Sequence, residues 1–173
     1  ALKTGMLANA AIIEVTAAKI RHYDLKNLVV DPVMVAKSGD LLLRADAIQA
    51  LRSRLIPLAK VVTPNLPEAE ELTEMKVTRV KEIEEAARRI IGMGAESVVI
   101  KGGHRKGPAI DLFFDGKKIR TLRSPRIRTR HTHGTGCTFS AAIAAYLAKG
   151  EKIEDAVVLA KTYITRAIRK GFA

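Results

Sequence analysis

The residues best suited to chemistry in this 173-residue chain lie in one stretch, HTHGTGCTFSAAIAAYL, from His131 to Leu147. Glycines, threonines and the only cysteine stand directly before a helical pattern whose apolar stripe holds Phe139, Ile143 and Leu147. A helix that starts at Gly134-Thr135-Gly136-Cys137 leaves backbone N–H groups free at its positive end. Such a turn is an anion hole, and glycine lets the main chain approach phosphate oxygens without a Cβ in the way. Cys137 falls in the first turn, where the helix dipole favours a thiolate, so it is a candidate reactive or proton-accepting group. Ala141, Ala142, Ala144 and Ala145 suit a helix that packs closely on its neighbours.

Two other readings of this stretch stay open. One is a tight glycine turn that caps a core helix, with Cys137 a small buried hydrophobe. The other is a metal site on the H-x-H-x3-C pattern of His131, His133 and Cys137, although a closed zinc site wants a fourth ligand and neither His22 nor His104 has a paired ligand beside it. A Walker A loop is excluded, because GxxxxGK[ST] does not occur.

The elements that must position this turn alternate between short apolar runs and longer amphipathic segments, the pattern of strand and helix units around a parallel sheet. Leu28 to Val30, Lys60 to Val62 and Ser97 to Ile100 read as buried strands, and AIDLFFDGKKIRTL as a hairpin turning at Asp115-Gly116. Ile13, Ala17 and Ile20 share one helical face; Val80, Ile83, Ala87 and Ile90 share another, in a helix ended by Gly92 or Gly94. Ile153, Ala156, Val157, Ala160, Ile164 and Ala167 stripe a last helix that Gly171 stops. No linker, repeat or low-complexity tract interrupts the series, so a single α/β domain over residues 1–173 is expected.

Ligands of parallel α/β sheets bind where the strands end. After the first run comes Asp31, after the second TPNLPEAE with Asn65 and Glu68, after the third Lys101 and two glycines. A phosphate and magnesium site needs these groups. Each also has a structural role open to it: Asp31-Pro32 starts a turn, Asn65 caps a helix with Pro67 and Glu68 completing a capping box, and Lys101 is a loop lysine. Their joint placement at strand ends favours function.

Composition narrows the classes further. Thirty Lys and Arg against 18 acids give a formal charge of +12 and favour anionic partners. Arg126, Arg128 and Arg130 alternate with Ile127 and Thr129, which places them on one face of a strand. No aromatic residue interleaves them to stack bases, so a solvated face is expected and not a nucleic-acid groove. No apolar run reaches a membrane span, and the lone Cys137 excludes internal disulfides and fits a reducing cytoplasm. ALKTGML lacks an initiator Met and begins inside a strand-like run, so an absent N-terminal segment is expected.

Taken together, GML at Gly5 to Leu7, DPVMVAKSGDLLL, VVTPNLPEAEELT, VVIKGGH and HTHGTGCTFSAAIAA resemble the ribokinase-like superfamily. Within it they are similar to the hydroxymethylpyrimidine and hydroxymethylpyrimidine phosphate kinases of thiamine biosynthesis. The resemblance implies a three-layer α/β/α fold with a mostly parallel central sheet, here without its N-terminal third. It implies ATP and Mg2+ as cofactors and a small pyrimidine as substrate, with nucleic acid and membrane excluded as partners and a homo-oligomer left open. Carried over by motif, Cys137 is the catalytic base, and Gly134, Thr135 and Gly136 form the anion hole for the transferring phosphoryl. Asn65 and Glu68 organise magnesium and nucleotide phosphates, Asp31 lies near the metal, Lys101 contacts phosphate, and Met6 and Val33 line the pyrimidine pocket. A pyridoxal or pyridoxine kinase shares the fold and, in some members, the cysteine. A non-catalytic nucleotide-binding module is the alternative of another class.

Overall fold

The computed structural model describes residues 1–36, 39–103, 109–129 and 132–171. Among them, six strands form one sheet in the order β1-β2-β3-β4-β5-β6. Strands β1 (Leu2–Thr4), β2 (Leu28–Val30), β3 (Val61–Val62) and β4 (Val98–Ile100) run parallel, whereas β5 (Ala109–Phe114) is antiparallel to both β4 and β6 (Ile119–Ser124). The register pairs Lys3 with Val29, Val29 with Val61, Val62 with Val98 and Val99 with Phe113. Residues of β2 to β4 are buried on both faces, which is why these strands read as continuous apolar runs.

Helices cover the two faces. Helices α1 (Ala10–His22), α2 (Ala45–Ala50), α3 (Leu66–Thr73) and α4 (Val80–Gly92) pack on Leu28, Val30, Val62, Val98 and Ile100. On the other face α5 (Thr135–Ala148) and α6 (Ile153–Arg169) pack on Val29, Val61, Val99 and Phe113. A three-layer α/β/α sandwich results, with a mostly parallel sheet as expected. After α2 the helix widens through a π-helical stretch (Leu51–Leu55) and then tightens into a 3-10 turn (Ile56–Leu58) before the chain enters β3.

Local chemistry starts the helices where the sequence places them. Asn9 caps α1 by accepting the Ile12 N–H at 3.0 Å, and Ile13, Ala17 and Ile20 form its buried stripe. Glu82 accepts the N–H groups of Thr78 and Arg79 and so opens α4. That helix buries Ile83, Ala86, Ala87 and Ile90; Val80, expected on the same face, is exposed because it occupies the first helical position, before the helix reaches the core. In α5 only Ala144 of the four alanines is fully buried. Ala142 is partly buried, and Ala141 and Ala145 are exposed, since one side of α5 faces outward.

The arginine run differs from expectation. Strand β6 ends at Ser124, and residues 125–129 have no regular structure, so Arg126 and Arg128 do not share a strand face. Pro125 cannot supply a ladder N–H, which ends the pairing there. Arg126 instead donates to the Gly103 carbonyl at 3.0 Å and fastens this segment to the turn after β4. Arg130 lies outside the described residues.

Candidate active site

The C-terminal ends of β1 to β4 gather on one edge of the sheet. Side-chain alternation then sends Lys3, Asp31, Thr63 and Lys101 toward the α5 face, because each is in phase with Val29, Val61 or Val99, which pack there. Asp31 is the centre. Its Oδ1 accepts from Lys101 Nζ at 3.0 Å and from the Thr63 hydroxyl at 3.3 Å; its Oδ2 accepts from the Ser140 hydroxyl at 3.0 Å. Lys3 Nζ stands 3.7 Å from Oδ2. Burial pushes the Asp31 carboxyl up, but the charge and hydrogen bond of Lys101, the charge of Lys3 and the Ser140 bond outweigh it and hold the group below its usual range.

Glu68 is the second buried carboxylate. The capping box expected for Asn65 is formed: Asn65 Oδ1 accepts the Glu68 N–H at 2.9 Å, and Glu68 Oε2 accepts the Asn65 N–H at 2.7 Å. Burial raises the Glu68 carboxyl above its ordinary value, and the Asp31 charge adds to that, against the Lys101 charge and the Asn65 and Met34 N–H bonds. Asn65 bridges Lys101 in parallel pairing, and the Lys101 N–H donates to Pro64 O at 2.8 Å. So the cap of α3 and the lysine after β4 are one unit.

The turn at α5 stands over this unit. Gly134 takes φ +76° and no side chain caps the helix; the first intrahelical bond runs from Thr138 N–H to Gly134 O at 2.9 Å. The N–H groups of Gly136 and Cys137 therefore precede the helical ladder. A Cβ on Gly136 would sit 3.4 Å from Lys101 Nζ, so the lysine ammonium and the turn face the same space. Cys137 is exposed and is not a buried hydrophobe. His133 is exposed too; His131 and His104 lie outside the described residues, and among the described ones no set of three His, Cys, Asp or Glu side chains could hold a metal.

Met6, 54% exposed, follows β1, and Val33 follows β2 with φ +42°. A β-branched residue in that region is strained, a condition that collects at binding sites. Two surface concavities of about 710 and 620 Å3 lie at the other end of the strands, around Asn27, Lys60 and Glu96, away from these groups.

The sequence pattern does not single out Lys3, Ser140 or Asp111. Asp111 on β5 accepts the Gly102 N–H at 3.0 Å and Lys161 Nζ of α6 at 2.6 Å, both nearly buried. Gly102 passes so close to β5 that a Cβ would lie 1.9 Å from Ile110 O. A polar residue at an inward position of a strand, such as Asp111 between Ile110 and Leu112, was the available signal.

An α/β/α sandwich whose uncapped helix turn stands over a lysine-paired carboxylate has the fold of ribokinase-like small-molecule kinases. The chain belongs to the phosphomethylpyrimidine kinase family, whose pattern it matches over residues 1–173. It is 45% identical to the hydroxymethylpyrimidine/phosphomethylpyrimidine kinase of Bacillus subtilis over 97% of its own length and 63% of that protein's. It is 48% identical to the pyridoxine kinase of the same organism, covering 99% of this chain and 65% of the relative. Among solved structures, the ADP complex of Bacillus subtilis pyridoxal kinase superposes with a TM-score of 0.94 at 46% identity, over 100% of this chain and 66% of that one. The phosphomethylpyrimidine kinase of Clostridium difficile gives 0.86 at 41% identity, over 97% and 68%. The chain thus spans less than two thirds of the length of these curated relatives.

Proposed function

We propose that the chain carries out ATP-dependent phosphorylation of 4-amino-5-hydroxymethyl-2-methylpyrimidine or its monophosphate, a kinase activity of thiamine biosynthesis. The observation that carries the reading is Lys101, held by buried Asp31 directly beneath the uncapped N-terminus of α5. Phosphoryl transfer asks mainly for positioning and for charge stabilisation by donors fixed in advance. Lys101 and the N–H groups of Gly136 and Cys137, with Gly134 and Thr135 shaping the turn, hold the transferring phosphoryl. Cys137 orients the acceptor hydroxyl and takes its proton as the transfer completes. Asn65 and Glu68 face the nucleotide phosphates; Met6 and Val33 face the pyrimidine.

Magnesium fits this donor set in a restricted way. Asp31 and Glu68 are two electrostatically coupled carboxylates, yet Asp31 spends both oxygens on lysine and hydroxyl donors. Such a pair suits an ion held mostly by phosphate oxygens and water, the usual state of Mg2+ on a nucleotide. Bound there, it would neutralise phosphate charge. The residues of the chain then fix its surroundings, Glu68 through the α3 cap and Asp31 through the two lysines.

Pyridoxine is the second acceptor to consider, because the pyridoxine kinase relative is as similar as the pyrimidine kinases. ADP release on titration with hydroxymethylpyrimidine and with pyridoxine, each with ATP and Mg2+, separates them. The proposal expects kcat/KM to favour the pyrimidine; a preference for pyridoxine reverses the assignment, and ATP binding without transfer to either makes the chain a nucleotide-binding module. An ATP-dependent metabolite kinase with one thiol is assigned to the cytoplasm.

A further inference from the structure

We propose that Lys3 is the acceptor-side cation of a two-lysine subsite built on Asp31, and that it takes the phosphate of an already phosphorylated acceptor. The inference rests on the kinase reading above. Lys3 is an unusual residue for its place: a lysine inside β1, in phase with Val29, on the face that α5 and α6 cover. A charge on that face needs a reason. Neutralising Asp31 is not sufficient, because Asp31 already holds Lys101 at 3.0 Å and two hydroxyl donors.

The geometry shows what remains unspent. Lys3 Nζ is 3.7 Å from Asp31 Oδ2, close enough for attraction and too far for a hydrogen bond, and it donates none among the described residues. Its three N–H donors are therefore aimed by charge and left available. The exposures agree: the Asp31 side chain is 2% exposed, whereas those of Lys3 and Lys101 are 20% and 17% exposed. The carboxylate is the buried anchor and the two ammonium groups are its wet ends.

Gly5 completes the subsite. Its φ is not in the left-handed region, so its backbone does not require glycine; what it provides is room, since a Cβ there would lie 2.9 Å from Lys3 Nζ. The order along the sheet edge then assigns the two lysines. Lys101 follows β4 and is joined to Asn65, on the side of the nucleotide-phosphate groups. Lys3 is on β1, three residues before Met6, on the side of the acceptor pocket. A hydroxymethyl acceptor needs no cation there. A phosphate monoester does, and its charge would be met by an ammonium already in place.

The test uses inorganic phosphate as the first probe, by calorimetric titration of the wild-type chain, Lys3→Gln and Lys3→Arg. Losing one charge-assisted contact should raise the phosphate Kd about tenfold in Lys3→Gln, with Lys3→Arg staying within about threefold. Gly5→Ala keeps the charge but displaces it, and should weaken phosphate binding by an intermediate factor even if Lys3→Gln does not fold. Undetectable phosphate binding by the wild-type chain, or a Kd within twofold in both Lys3→Gln and Gly5→Ala, overturns the subsite. In kinetics, Lys3→Gln should lower kcat/KM for the monophosphate relative to the unphosphorylated pyrimidine by about tenfold. Equal loss for both acceptors overturns the acceptor-side placement. Failure of the kinase reading is distinct: no transfer by the wild-type chain to either acceptor, while the phosphate titrations still decide the subsite.

Discussion

Asp31→Asn is the most informative single change, since it removes a buried charge and keeps nearly the same shape. The amide oxygen that replaces Oδ1 can still accept from Thr63, and the amide NH2 in place of Oδ2 can donate to the Ser140 hydroxyl oxygen while that hydroxyl donates to Cys137 O, but Lys101 and Lys3 lose their counter-ion. Removing one partner of a buried pair costs about 3–5 kcal/mol. Both lysines keep part of their side chain wet and Glu68 is near, so the low end, about 3 kcal/mol, is expected. Against a total of about 5–15 kcal/mol the variant stays folded. With a urea m-value of about 2 kcal/mol/M, the midpoint should fall by about 1.5 M. The sign of the pH dependence follows from the depressed Asp31 carboxyl: its contribution is complete above the unfolded value of about 3.9 and is lost as pH falls through the lower folded value. Urea titrations at pH 7 and at steps below pH 4 should therefore show a gap between wild type and variant that closes in acid. A gap under about 1 kcal/mol at pH 7, or one that holds constant through the acid window, refutes the ion-pair account.

Three further outcomes are expected. Gly102→Ala drives a Cβ into Ile110 O and should cost about 3 kcal/mol or more by urea unfolding; a loss under about 1 kcal/mol would show that β4 and β5 separate easily. Cys137→Ala should lower turnover by about 10²–10⁴-fold with nucleotide affinity nearly unchanged, because the backbone donors of α5 remain; near-normal turnover removes the base role. Glu68→Gln keeps an amide oxygen for the Asn65 N–H and ends the cost of a buried charge, so unfolding should shift by less than about 1 kcal/mol while magnesium-dependent turnover falls more than metal-free nucleotide binding. Loss of stability with unchanged kinetics would leave Glu68 as a cap alone.

The buried strands and the strand-end residues were legible because parallel strands buried on both faces leave short Val and Leu runs, and the first polar residue after each run marks the sheet edge; the order of the strands in the sheet was not. Asn65 and Glu68 were legible as a pair for a local reason, since a capping box closes within four residues. Lys3, Ser140 and Asp111 were not. Their partners lie 28, 109 and 50 residues away in sequence, and only the stacked register brings them together. The arginine alternation misled because period 2 signals a strand only where N–H groups can pair, and Pro125 had already ended the ladder.

The Gly102–Asp111–Lys161 contact ties the final helix to the turn that carries Lys101. Positions 111 and 161 can therefore drift only as a couple: an apolar residue at one strands a charge at the other, and the turn N–H loses its acceptor. A chain cut before Lys161 would keep every residue assigned to phosphate handling and still release the turn that aims one of them. Descendants of this sequence should show substitutions at the two positions appearing together or not at all, with Gly102 fixed in either case.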